Sequence, residues 1–515
     1  MKSLSVWNDP LPHRTSYPAL ADEANAEVII IGGGITGITA AYLLTKAGIK
    51  TIVVEGGQIG SGTTNSSTGN LYATVDNHLS RVKELWGQDV ATQVARSRAE
   101  AIDNIEQLVQ ELKIDCDFAR CPQYLIATDS AQEDRLNQEK EVLEAAGLGV
   151  SWVEAIPLSL PFTKALRIEN QAQFHPAKYV EGLAQAAIAT KLCRVFENTR
   201  VISMDGKQLT TDQGQMRGDH IVLATHTPAG FHRLQTEMAP YREYGLAMKV
   251  SGEFPCPPGI FWTLEEPGHS IRRVDTEDGP YLIVIGEKHK TGQQSSDKDY
   301  YRLVELFARA HFPVESVAYK WSAQHYRSAD ELPYIGRSGE YAYVATGFAT
   351  NGLVYGHIAA STITDMIQGN DNEYRALYDS RRFAPLQSVS SFLLENANVV
   401  SQYVKGYLTR AEVESVEKIG PGEGALVEFN GKKHAVSRDE SGNWTVLSPV
   451  CTHLGCIVQW NSLEKTWDCP CHGSRFCSTG EVIEGPAMTP LEPLEYWAMD
   501  PMPTQFFRTE EEAPV

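Results

Sequence analysis

The chain has 515 residues, a hydrophobic fraction of 42%, a charged fraction of 21% and a formal net charge of −20. That length supports two or three domains with separate cores. So acidic a surface repels phosphate backbones, which argues against a nucleic-acid partner and suits small substrates or a protein with a basic docking face.

The opening residues, MKSLSVWNDPLPHRTSYP, contain no apolar run of signal-peptide length and no twin-arginine pair. The apolar stretch 28–44 is interrupted by three consecutive glycines. The expectation is a soluble, cytoplasmic protein with no membrane partner. Residues 1–26, with prolines at 10, 12 and 18, read as an extended arm.

From Glu27 an apolar run, a glycine-rich turn, a helix and a second apolar run over 50–55 form a β-α-β unit. The turn, Gly32-Gly33-Gly34-Ile35-Thr36-Gly37, fits G-x-G-x-x-G. Gly32, Gly34 and Gly37 permit a tight turn and close backbone approach, and the turn, Ile35 and Thr36 included, leads into a helix over 38–47 whose N-terminus stabilises a pyrophosphate. Glu55 ends the next strand and can accept hydrogen bonds from ribose hydroxyls. Together these features indicate a bound dinucleotide, FAD or NAD. No second dinucleotide fingerprint follows, which disfavours a flavin plus a separately bound nicotinamide.

Further along, 79–112 reads as one long amphipathic helix or two, and 130–146 as another. Strand-like runs occupy 201–204, 221–224, 270–274, 281–285 and 341–345, and a helix follows Asn351. Residues 387–408 place Val389, Phe392, Leu393, Val399, Val400, Tyr403, Val404 and Tyr407 at helical spacing, an amphipathic connecting helix expected to clasp two domains. From about residue 410 the chain turns β-rich, and its last residues form a polar, acidic tail.

Five of the nine cysteines, Cys451, Cys456, Cys469, Cys471 and Cys477, crowd into 451–477, a metal-site pattern rather than a scatter of secreted disulfides. They lie in Cys451-Thr-His453-Leu-Gly-Cys456 and Cys469-Pro-Cys471-His472-Gly-Ser474. Two thiolates and two imidazoles suit a histidine-bound [2Fe–2S] cluster or a tetrahedral zinc. Six candidates in fixed pairs exceed the four that zinc needs.

These two stretches closely resemble the loops of Rieske proteins from cytochrome bc-type complexes. The resemblance implies that Cys451, His453, Cys469 and His472 ligate iron, and that a Cys456–Cys471 disulfide ties the loops together. Gly485-Pro486-Ala487 is similar to the proline loop that covers the cluster. High-potential members carry a tyrosine where this chain has Phe476, which donates no hydrogen bond to a cysteine sulfur; Ser474 remains available to a bridging sulfide. The implied potential lies below that of respiratory Rieske proteins.

Residues from about 26 to 375 resemble FAD oxidoreductases of the D-amino-acid oxidase/glycine oxidase superfamily. The likeness rests on the GGGITG turn with Glu55, the loop 61–69, His175-Pro176, the strand 221–225, Asp330-Glu-Leu-Pro-Tyr-Ile-Gly336 and Thr346-Gly-Phe-Ala-Thr-Asn-Gly352. It implies an α/β, Rossmann-like FAD-binding domain with an interleaved α+β substrate domain, followed by a small all-β Rieske domain. The division is then 1–26 arm, 27–375 oxidoreductase, 376–412 linker, 413–505 Rieske domain and 506–515 tail.

By the same resemblance FAD is held by Thr63 and Thr64 in the 61–69 loop, by Val201 at the adenine and by Ala224 at a strand end. Gly347, Asn351, Gly352 and Leu353 open a helix that faces the flavin pyrimidine. The flavin-side loop offers threonine, asparagine and serine but neither histidine nor cysteine, so the FAD is expected to be noncovalent.

Amino-acid oxidases of the superfamily place a carboxylate-binding arginine where this chain has His325, a poor bidentate clamp. The expected substrate therefore moves toward a small amine or N-substituted compound, with His325 as candidate catalytic residue. Arg272-Arg273 is a second anion-clamp candidate, against the plainer reading of solvated strand-edge arginines. His220, His226 and His232 are too widely spaced, and too poor in neighbouring carboxylates, for a metal site.

The expected activity is a dehydrogenase passing electrons singly through the cluster to an external acceptor. The alternatives are an oxygen-using oxidase with a structural or regulatory cluster, and a non-enzymatic electron shuttle. Only about 40 residues follow the second loop, too few for the mononuclear-iron domain of a Rieske oxygenase.

Overall fold

The computed structural model describes residues 4–8, 14–294, 298–382, 385, 388–409, 412–413, 416–429 and 431–494. The expected acidic tail lies outside them. The chain divides into two compact units that are not continuous in sequence. One comprises residues 1–227, 242–288 and 299–389; the other comprises 228–241, 289–298 and 390–515.

In the first unit, the strand Ala24–Ile31 runs parallel to Gln215–Leu223 on one side and to Thr51–Val54 on the other. Its second half, Val28–Ile31, is buried on both faces, the reason it is a continuous apolar run rather than an alternating one. The sheet extends outward to Cys193–Phe196 at one edge and through Ala342–Thr346 to Tyr334–Arg337 at the other. The helices Ile35–Lys46 and Gly352–Gln368 cover it, packed so closely that a Cβ on Gly356 would lie 2.8 Å from Thr36 Oγ1.

The 79–112 stretch is two helices, Leu79–Trp86 and Gln88–Leu112. They break at Gly87, whose φ of +89° suits a residue without a side chain. The helix Ser130–Ala145 starts on Asp129, which accepts from Gln132 N at 2.9 Å. A second, nine-stranded mixed sheet includes Ala119–Ala127, Lys164–Gln173, Ile260–Thr263 and Ser270–Thr276, with Val314–Ser328 at one end.

The second unit is mainly antiparallel. One sheet joins Gly424–Phe429, Lys432–Arg438 and Trp444–Leu447; another joins Gln459–Asn461, Thr466–Asp468, Arg475–Cys477 and Val482–Glu484. The amphipathic helix Val389–Leu408 belongs largely to this unit, where Gly406 rests on Ile457 and Tyr407 Oη donates to Gly455 O at 2.7 Å. Two stretches that precede it by more than ninety residues, 228–241 and 289–298, fold with this unit. No helix among the described residues is long and apolar enough to cross a membrane.

Candidate functional site

The dinucleotide crevice is built where parallel strands end and the first helix begins. Gly32 has φ +108°, and a Cβ there would sit 2.4 Å from Ala224 O, so two strand ends meet at a point that excludes any side chain. Glu55 is drawn into the turn: Oε2 accepts from Gly33 N and Oε1 from Gly57 N, both at 2.8 Å. Thr64 Oγ1 accepts from Ile35 N at 3.0 Å and so reaches the first turn of the helix. Thr63 Oγ1 lies 3.2 Å from His226 Nδ1. The structure thus brings Gly32, Gly34, Ile35, Thr36, Gly37, Glu55, Thr63, Thr64 and Ala224 to one crevice. Val201 is buried at the start of a neighbouring strand. A glycine cradle at a helix N-terminus, with an acid at the next strand's end, fits the pyrophosphate and ribose of FAD.

Gly347, at φ +76°, turns the chain from Ala342–Thr346 toward the helix Gly352–Gln368. Asn351 makes no side-chain cap on that helix; its Oδ1 instead accepts from Arg98 Nη2 at 3.1 Å. Arg98 is fully buried, donates to Tyr72 O at 2.8 Å and lies 4.4 Å from the centre of the Tyr355 ring. Beside this helix start is a small open cleft, lined among others by Asp76, Asn77, Arg327, Glu331, Phe348 and Asn351.

Charge dominates one wall of the cleft. Glu331 accepts from Arg327 at 2.5 Å and from Asn77 Nδ2 at 2.8 and 2.9 Å. Glu331 and Ala349 both hold positive φ, +67° and +47°, local strain of the kind that collects at functional sites. Asp76 pairs with Lys288 at 3.4 Å. Burial pushes the Asp76 carboxyl up, but the neighbouring cations, Lys288 foremost and then Arg327, outweigh it and hold the group down at about 2. Nearby Glu243 is pushed up to about 7 by burial, partly offset by Lys288.

His325 is buried within the strand Val314–Ser328, while Arg327 and Ser328 of that strand line the cleft. Desolvation pushes its pKa down to about 3, so the imidazole is neutral at ordinary pH. Arg272 is not solvated: it is buried, donates to Thr68 O at 2.8 Å and lies over Trp7, bracing the 61–69 loop. Arg273 is paired with Asp275. The three histidines serve separate local roles: His220 packs on Tyr343, His226 meets Thr63, and His232 caps a short helix.

In the other unit, two loops form a cradle. The first is closed by Cys451 N to Cys456 O (2.8 Å) and Gly455 N to Cys451 O (2.9 Å). The second is closed by Cys469 N to Ser474 O (2.8 Å) and Gly473 N to Cys469 O (3.1 Å). The sulfurs of Cys456, Cys469 and Cys471 converge within 4.8 Å, but Cys456 and Cys471 are joined in a disulfide and are not free thiolates.

Cys469 is instead matched with Cys451. A hydrogen bond between their thiols pulls Cys451 down to about 7 against burial and, with burial, pushes Cys469 up. Two buried sulfurs this close suit two thiolates on one iron. The imidazoles of His453 and His472 lie 5.0 Å apart, and burial lowers both to about 4, leaving them neutral as ligation requires. His453 Nδ1 is buried without a hydrogen-bond partner. This donor set fits a [2Fe–2S] cluster with two cysteines and two histidines.

The cradle is braced from behind. Ser474 Oγ accepts from Ala487 N at 3.1 Å, and a Cβ on Gly485 would lie 2.5 Å from Gly473 O, so the 485–487 turn sits directly on the second loop. Phe476 is fully buried. Arg475 is held by Asp468 at 3.0 Å, Glu484 at 2.8 Å and Glu464.

Crevice and cradle together define a flavin oxidoreductase joined to an iron–sulfur domain. The model for FAD dependent oxidoreductases, DAO, matches residues 27–366, and that for the Rieske [2Fe-2S] domain matches residues 409–495. The chain belongs to the DAO family of FAD-dependent oxidoreductases and carries a C-terminal Rieske domain; its cofactors are FAD and a [2Fe–2S] cluster.

It is 33% identical to the Rieske 2Fe-2S iron-sulfur protein YhfW of Bacillus subtilis (strain 168), covering 93% of this chain and 95% of that protein. It is 23% identical to gamma-glutamylputrescine oxidoreductase of Escherichia coli (strain K12), covering 71% and 88%. Among solved structures, glycine oxidase from Geobacillus kaustophilus superposes with a TM-score of 0.56 at 21% identity, covering 70% of this chain and 99% of that one.

Sequence reasoning missed Asp76, Arg98, Lys288 and Glu331. Each is an ordinary charged residue in its local context, and only burial and mutual proximity mark it out.

Proposed function

We propose that this protein is a dehydrogenase for a small amine or N-substituted amino compound. Bound FAD supplies the acceptor for a hydride from the carbon beside the amine nitrogen, and the cluster supplies one-electron transfer to an external acceptor. The reading is carried by the presence of both cofactor domains in one chain. An oxidase needs only oxygen, whereas a one-electron carrier gives reducing equivalents another exit.

FAD would be held noncovalently by the Gly32–Gly37 turn, Glu55, Thr63, Thr64, Val201, Ala224 and the Gly347–Leu353 turn. Iron would be held by Cys451, His453, Cys469 and His472. In the cleft, Asp76 stays ionised and presents a fixed anion to amine N–H donors. Arg327, oriented by Glu331, is placed for a carboxylate on an N-substituted substrate. His325, neutral and buried beside this wall, orients these groups rather than supplying charge. The amine chemistry accords with the names of relatives, gamma-glutamylputrescine oxidoreductase and glycine oxidase.

The test is aerobic turnover over an amine and N-alkyl amino-acid panel, with peroxide and one-electron dye reduction measured together. Dye reduction with little peroxide is expected. Peroxide equal to substrate consumed, with or without dye, would establish the oxidase reading instead.

A further inference from the structure

The side chain of Gln235 is fully engaged. It lies in the 228–241 stretch, which folds in the same compact unit as the cluster loops although more than two hundred residues precede them. Its Nε2 donates to Pro228 O at 2.8 Å and to Gly230 O at 2.6 Å, which fixes which end of the amide is nitrogen. Oε1 therefore faces His232 N and His453 Nε2, each at 3.0 Å.

An amide oxygen only accepts. His453 must then carry its proton on Nε2, leaving a bare lone pair on Nδ1, the buried nitrogen without a partner. The carbonyl of Gly230 also faces this imidazole, and Gly230 N donates to Pro486 O at 2.9 Å in the turn that covers the second loop. The stretch is thus stitched to both the histidine and the covering turn.

We infer that Gln235 is a positioning residue for the cluster: it accepts from His453 Nε2–H, locks the tautomer that binds iron through Nδ1, and makes that imidazole a stronger electron donor. A more electron-rich ligand favours the oxidised cluster, so Gln235 lowers the reduction potential. The inference rests on His453 being an iron ligand, as read above, and not on how electrons reach the cluster.

The test is a potentiometric titration of the full-length protein at one pH, following the electron paramagnetic resonance of the cluster. Gln235→Leu keeps the bulk and removes the acceptor. The expected result is a rise in potential corresponding to a three- to tenfold shift of the one-electron equilibrium, tenfold being about 59 mV, with altered g-values. Because Leu could also loosen the turn, His232→Ala serves beside it. That change removes the Nδ1 that accepts from Leu234 N at 3.1 Å but leaves the Gln235 amide and its contacts in place.

An unmoved potential in His232→Ala, with a shift or cluster loss in Gln235→Leu, supports the inference. An unmoved potential in Gln235→Leu, or equal shifts in both variants, overturns it. Absence of histidine-nitrogen coupling in the unaltered protein would sink the ligand assignment itself, a failure visible before any variant is made.

Discussion

The cluster cradle and the flavin crevice both hold a redox cofactor, but they distribute the work oppositely. The cradle draws its donors from two loops between Cys451 and Ser474, closed by short-range backbone hydrogen bonds and braced by one buried arginine. The crevice gathers residues from Gly32 to Gly356, joined by a parallel sheet and by contacts that tolerate no side chain at the meeting points. Cofactor loss should therefore be local in one region and a consequence of long-range packing in the other.

The largest effects come from a reciprocal pair. Cys469→Ser should abolish the cluster, read as iron content and visible absorption, while flavin content stays at its normal level. Gly32→Val forces a side chain onto Ala224 O at a positive φ, and should remove flavin while leaving the iron signal. Loss of both cofactors in both variants would break the separation drawn between the regions.

Next comes Arg475→Met. It leaves buried Asp468 and Glu464 facing each other, with half-buried Glu484 beside them, at an expected cost of about 3–5 kcal/mol. Chemical unfolding followed at the cluster absorption should show it, with the flavin transition unmoved. A cost under about 1 kcal/mol would place the brace elsewhere.

A smaller effect concerns the first unit. Glu139 is buried, accepts from Leu79 N at 3.1 Å and Ser80 N at 2.9 Å, and is pushed up to about 7 by burial against those bonds. Between its ordinary value of 4.5 and about 7 the folded chain keeps a proton that the unfolded chain has released. Stability from this group is therefore complete below 4.5 and falls as pH rises through 7. Glu139→Gln should flatten the decline in melting temperature across that window; identical slopes would mean that the carboxyl titrates normally.

The same contrast explains what was legible in the sequence. Two Cys/His loops are adjacent in the chain, so their spacing carries the chemistry, and the Cys456–Cys471 pairing appears as the family resemblance implied. The glycine turn and Glu55 are likewise local to one β-α-β unit. The cleft is not: Asp76, Lys288 and Glu331 are more than forty residues apart, and their coupling comes from sheet packing that no local periodicity encodes. Arg272 shows the same limit from the other side, since a strand arginine looks solvated until Trp7 and Thr68 are seen to enclose it. Gln235 was invisible because nothing in its neighbourhood announces a partner at residue 453.

In the function proposed above, reducing equivalents taken from an amine leave through the iron centre. Mixing the oxidised protein with a reactive amine without oxygen, then freezing samples over time, measures both centres in one experiment. Flavin bleaching followed by growth of the reduced-cluster signal, at a rate independent of protein concentration, is the predicted result. Full bleaching with the iron centre still oxidised after many turnover times would contradict it.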